Sequence, residues 1–206
     1  MTRYIQRYRD RVRINHWIVA LFFLSAGMTG LAILHPAFFF FTSLFGGGAW
    51  SRTLHPYFGV LMMLGFLLMF VQLWRDNLWA RDDTAWLRRM PRLLGGDEEH
   101  MPQVGKYNAG QKLVFWLFGI CLLLLIVTGI MFWRPWFADA VPVPVRRIAV
   151  LVHAITATVL ILGAIIHIHA AIWVKGSMRA MTRGMVSEYW ARRHHSLWYR
   201  QLGGKE

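Results

Sequence analysis

The chain has 206 residues, 56% of them hydrophobic and only 16% charged, with 23 basic against 10 acidic side chains and a net charge of +13. Stretches free of Asp, Glu, Lys and Arg cover 14–51, 53–74, 113–133 and 148–174, and each can cross a bilayer, which takes roughly 20 apolar residues. Four such runs leave little chain for an extramembrane domain, which excludes a soluble enzyme built around one core.

A charge of +13 would point to nucleic acid in a soluble protein, so its distribution decides. Arg3, Arg7, Arg9, Arg11 and Arg13 precede the first run, seven basic residues lie between the second and third, and seven follow the fourth. Only Arg52, Arg134, Arg146 and Arg147 remain for the other side. The positive-inside rule places the basic side, with both termini, in the cytoplasm and leaves lipid rather than nucleic acid as the partner of the charge. The first run is too long for a removable signal peptide and lacks a nearby cleavage signal.

The predicted fold is all-α: a four-transmembrane-helix bundle forming one membrane domain over 1–206. Span one covers about 15–35 and ends where Pro36 follows His35. The phenylalanine-rich stretch 37–51 reads as an interfacial or re-entrant crossing on the outer side. Span two, about 53–74, has Pro56 in its first turn. The cytoplasmic loop 75–108 holds a stretch, 84–94, in which tryptophan and leucine alternate with arginine, as suits a membrane surface. Span three, about 109–133, stops at Arg134-Pro135 beside Trp136 and Phe137, an aromatic belt. Span four, about 145–175, leads into a cytoplasmic tail, 176–206, whose basic and aromatic part, 189–200, is expected to rest on headgroups or on a partner. The single cysteine, Cys121, excludes disulfides, iron–sulfur ligation within the chain and a C-x-x-C-H haem attachment.

Nine histidines are present, several of them within or at the ends of spans, where ionisable side chains are costly and usually functional. His153 and His167 are 14 residues apart on one span, about 40° short of four full turns and about 21 Å along the axis. They share a face, one near each side of the membrane. His55 stands at the outer end of span two and His16 at the inner end of span one. Pairing by depth joins His55 with His153 and His16 with His167, an arrangement suited to two non-covalent, bis-histidine b-type haems within the bundle. Filled axial positions favour electron transfer over oxygen chemistry. Gly59 and Gly163 lie one turn from ligands, where they would either admit a macrocycle or serve helix packing. His169, about 160° from the His153 face, reads as a bystander. His35 reads as interfacial, and His100, His194 and His195 as solvated. The spans contain no acidic residue and no H-E-x-x-H, against a hydrolytic zinc site. A haem-free histidine proton channel remains an alternative.

Asn108 is an N-cap for span three. The amides of Gly110 and Gln111 would then be among the unpaired donors of its first turn. Either plain capping or a hold on a quinone carbonyl fits these residues.

The residues now form a recognisable set: R-I-N-H-W, L-H-P-Y-F-G, G-K-Y-N-A-G-Q-K, W-R-P-W-F-A, L-V-H-A through H-A-A-I-W-V-K-G-S, and W-A-R-R-H-H. In order and spacing, over nearly its whole length, the chain resembles the cytochrome b (gamma) subunits of respiratory membrane-bound formate dehydrogenases. The resemblance implies two haems b, ligated by His55 and His153 on the periplasmic side and by His16 and His167 on the cytoplasmic side. It implies a quinone, menaquinone or ubiquinone, at Asn108, Gly110 and Gln111. It also implies an iron–sulfur (beta) subunit as electron donor and, behind it, a molybdenum- or tungsten-containing catalytic (alpha) subunit, so that the chain itself does not oxidise formate. His169 departs from the family pattern, which tends to tyrosine there. The related cytochrome b subunit of a membrane-bound hydrogenase is the nearest alternative.

Overall fold

A computed structural model describes residues 3–96, 101–134 and 136–203. His100, expected to be solvated, and Pro135, expected to help stop span three, lie outside the described residues. Among the described residues four helices are long and apolar enough to cross a membrane: α1 (Asp10–Leu34), α2 (Gly48–Leu73), α4 (Ala109–Phe132) and α5 (Val143–Trp173). Between α2 and α4 lies α3 (Arg81–Leu94), and after α5 come α6 (Ser177–Arg183), α7 (Glu188–His194) and α8 (Ser196–Gln201). Only 17–28% of the most apolar window of each spanning helix is buried within the chain. Apolar side chains left exposed on long helices are what a lipid-facing surface requires.

The chain divides into two compact units. One comprises 14–71 and 117–166. Its core draws on all four long helices: Ala26 from α1, Met62 and Phe66 from α2, Cys121 and Leu122 from α4, and Leu160 from α5. Glycines set close approaches between helices. A Cβ built on Gly65 would stand 2.7 Å from Val19 Cγ2, and Asn15 Nδ2 donates to the Gly65 carbonyl at 2.8 Å, so α1 side chains rest directly on the α2 backbone there.

Two boundaries differ from the sequence reading. Helix α2 starts at Gly48, so Pro56 lies in its interior and not in its first turn, removing the N–H that would serve the Arg52 carbonyl. The stretch after α1 is a 3₁₀ helix, Pro36–Phe45, closed by Gly46 and Gly47 at φ 82° and 98°, values that suit glycine.

The other unit comprises 1–13, 72–116 and 167–206, which hold nineteen of the 23 basic residues. Two short strands absent from the all-α expectation, β1 (Tyr4–Gln6) and β2 (Met185–Ser187), pair antiparallel with Ile5 opposite Val186. The described part of the 75–108 loop is tied to itself and to the start of α4. Asp83, in the first turn of α3, accepts from the Ala80 amide and pairs with Lys112 of α4 at 2.7 Å, both side chains being buried. Trp86 packs on Val104 and Ala109.

Candidate functional site

His55 on α2 and His153 on α5 come together with ring centres 6.2 Å apart and planes at 67°. Each ring is held from behind by the helix that precedes its own. Thr29 Oγ1 lies 3.0 Å from His55 Nδ1, and Thr128 Oγ1 lies 3.0 Å from His153 Nδ1. The residue after each threonine is a glycine that faces the same imidazole. A Cβ on Gly30 would stand 3.0 Å from His55 Cε1, and one on Gly129 would stand 3.4 Å from His153 Cε1. Phe132 meets His153 edge-on at 5.2 Å.

Reading the sequence brought His55 and His153 to one depth but missed these Thr-Gly doublets. Their signal was there: Thr29 precedes His55 by 26 residues and Thr128 precedes His153 by 25. Of the glycines singled out instead, Gly59 faces open space, whereas Gly163 packs against Leu117 and Phe118 and so serves helix contact.

His16, half-buried on α1, meets Trp17 edge-on at 5.4 Å. It belongs to the unit of the long-helix core, and His167 to the other; their pairing rests on sequence alone. His169 is exposed and tilted against Trp173 at 5.6 Å. His35, also exposed, accepts from the Ala37 amide and caps the 3₁₀ helix.

At the N-terminus of α4, Asn108 Oδ1 accepts from the Gln111 amide at 2.9 Å while Gln111 Oε1 accepts from the Asn108 amide at 3.0 Å. This reciprocal cap corrects one expectation, since the Gln111 amide is not an open donor. Gly110 lies against the Trp86 indole, 3.3 Å from Cη2 for an added Cβ.

A second correction concerns His195, expected to be solvated and found 2% exposed. Its Nδ1 donates to the Gly105 carbonyl at 2.7 Å, leaving Nε2 as acceptor for the buried Arg7, 3.3 Å away. Arg7 also donates to the Lys106 carbonyl, and its guanidinium lies 4.9–5.7 Å from the rings of Tyr8, Tyr107, Trp190 and Trp198. The basic, aromatic tail therefore closes on the N-terminal segment and on the approach to α4, instead of resting on headgroups through these side chains. Burial, and then the Arg7 charge, pushes the His195 pKa down to about 3.

The family model for prokaryotic cytochrome b561 matches residues 7–187. The chain belongs to the prokaryotic cytochrome b561 family. It is 42% identical over 198 residues to the formate dehydrogenase cytochrome b556(fdo) subunit of Escherichia coli K12, covering 96% of this chain and 93% of the relative. It is 38% identical to the formate dehydrogenase cytochrome b556 subunit of Haemophilus influenzae Rd, over 96% of this chain and 83% of the relative. It is also 38% identical to the nitrate-inducible cytochrome b556(Fdn) subunit of E. coli K12 formate dehydrogenase, over 92% and 88%.

As a member of the cytochrome b561 family the chain is a multi-pass membrane cytochrome b, and the family implies haem b. The His55 and His153 imidazoles fit that group. An imidazole nitrogen binds a metal at about 2 Å and sits about 1 Å from its ring centre, so two imidazoles on one ion have centres about 6 Å apart, as these two do. Both are neutral donors on facing helices of a four-helix core, the usual setting of a buried cofactor in such bundles.

Proposed function

We propose that the chain is the electron-transferring cytochrome b subunit of a respiratory formate dehydrogenase complex of a bacterial inner membrane. The observation that carries the reading is the meeting of His55 with His153 at a separation that one shared metal ion would fit. In this reading His55 and His153 hold one haem b near the periplasmic face, and His16 and His167 hold a second near the cytoplasmic face. When bound, the haems would take up and pass on single electrons, and two histidines holding each would leave no open site for substrate. The donor is an iron–sulfur subunit, itself served by the catalytic subunit that oxidises formate. The acceptor is a quinone beside the start of α4.

The chain's own residues supply position and exclusion. Helices α2 and α5 hold two imidazoles level with each other, and the apolar core around Phe66, Leu122 and Leu160 keeps water out. Asn108 and Gln111 spend their side-chain oxygens on the reciprocal cap, so their NH₂ groups, with the Gly110 amide, are the donors we assign to a quinone carbonyl. The positive-inside rule puts the three basic segments in the cytoplasm, with both termini.

The test is a pyridine haemochrome assay with a redox titration of the purified complex. Two low-spin b haems are expected, and His55→Ala or His153→Ala should each remove the same one. A single haem, or a high-spin centre that binds carbon monoxide, would overturn the assignment. The subunits that copurify decide between a formate-oxidising and a hydrogen-oxidising donor.

A further inference from the structure

A threonine inside a spanning helix usually returns its hydroxyl proton to a carbonyl one turn back. Thr29 Oγ1 donates to the Ser25 carbonyl at 2.7 Å, with that of Ala26 at 3.1 Å, and Thr128 Oγ1 donates to the Leu124 carbonyl at 2.6 Å, with that of Leu125 at 3.3 Å. A hydroxyl carries a single proton. Once it is spent, only lone pairs remain for the imidazole 3.0 Å away, so the proton of that contact belongs to the histidine. The bond runs from Nδ1–H to Oγ1 in both cases. This sets one tautomer for both rings and leaves each Nε2 with its lone pair, the form that a metal takes.

The Ala26 carbonyl also hydrogen-bonds the His55 ring and the Leu125 carbonyl the His153 ring, so each threonine shares the imidazole proton with one backbone oxygen of its own helix. Thr29 and Thr128 are 0% and 6% exposed, so water is a poor substitute acceptor. Gly30 lets the His55 ring come closer to α1 than a Cβ readily allows, whereas a Cβ on Gly129 would only touch His153 at van der Waals distance. The device occurs twice, α1 serving the histidine of α2 and α4 that of α5.

We propose that Thr29 and Thr128 are positioning residues for haem ligation. Each fixes the orientation of one axial imidazole and, by accepting its Nδ1 proton, makes Nε2 a more electron-rich ligand, which favours the oxidised iron and lowers the reduction potential. Partners of this kind on metal-bound histidines tune both geometry and basicity. The proposal rests on the assignment of His55 and His153 as ligands.

The experiment compares Thr29→Val, Thr128→Val and the matching serine variants in the complete complex. The readouts are haem content, the potentials resolved by optical redox titration, and the low-spin EPR g-values. Valine keeps the shape and removes the acceptor; serine keeps the acceptor. Each valine variant should raise the potential of one haem, the same one in both, move its g-values and leave the other haem unchanged, while serine restores wild-type values. Valine variants with wild-type potential and g-values would overturn the proposal. If valine prevents assembly, the serine variants decide: wild-type potential supports the oxygen's role, and equal loss assigns the site to methyl packing and overturns it. His55→Ala, prepared in parallel, separates the two layers. Retention of both haems would sink the ligand assignment itself, whereas loss of one haem there with unmoved valine variants would sink only the role of the threonines.

Discussion

Arg7 is 6% exposed, a costly place for a cation unless its surroundings replace water. Four aromatic rings, the Lys106 carbonyl and the His195 imidazole do so in part, while Nη1 has no hydrogen-bond partner among the described residues. Lysine cannot reproduce this, because it lacks the flat guanidinium that stacks between rings. Arg7→Lys should therefore lower stability by about 1–3 kcal/mol, read as a lower midpoint in thermal unfolding of the detergent-solubilised protein. The site also sets a pH limit. Folded His195 protonates at about 3, whereas an unfolded histidine does so near 6.5. Between those values the unfolded chain binds the extra proton, so stability is full above about pH 6.5 and falls as pH drops toward 3. Amide exchange across 185–199 should accelerate over that window in the wild type and stay flat in His195→Gln. An equal acceleration in His195→Gln would place the titrating group elsewhere.

The four long helices were legible because the absence of charge over twenty residues is a property of a long window, insensitive to detail. The depth match of His55 and His153 was legible for a related reason, since it follows from distances to span ends. What escaped depends on how each helix is rotated about its axis. Thr29 and Thr128 read as ordinary polar residues in apolar helices until α1 and α4 are turned toward the histidines. The burial of His195 escaped because its partner Arg7 is 188 residues away, and a basic, aromatic tail looks alike whether it meets lipid or its own chain. At the start of α4 the sequence left capping and quinone binding open, and the reciprocal Asn108–Gln111 cap makes them separable. Gln111→Glu keeps an oxygen that caps the Asn108 amide and replaces the NH₂ donor with a charged acceptor. On our reading it raises the KM for quinone about 2- to 10-fold, the worth of one hydrogen bond, with thermal stability unchanged. An unchanged KM in that variant would leave Gln111 as a helix cap alone.

For the whole molecule, the placement of charge and the placement of the proposed sites make one argument. The N-terminal segment, the 72–116 stretch and the tail share one unit and most of the basic residues, and the positive-inside rule assigns them to the cytoplasm. The segment assigned to quinone, at Asn108, belongs to that unit, while His55 stands seven residues from the start of α2, toward the opposite end of that helix from Leu73. On the proposed reading, electrons that enter by His55 and His153 and leave near Asn108 would travel inward across most of the membrane. Each electron moved against 100 mV corresponds to about 2.3 kcal/mol, so formate oxidation outside and quinone reduction inside would charge the membrane without a proton pump. The complex in proteoliposomes, oriented with its basic face inward and driven by external formate, should raise the pH of the lumen as quinone is reduced and make the lumen electrically negative. A pH dye trapped inside and a potential-sensitive dye measure the two together. Lumenal pH that stays constant while quinone turns over would mean that the protons come from the donor side, and the quinone site would then have to lie at the periplasmic end of the bundle, away from Asn108 and Gln111.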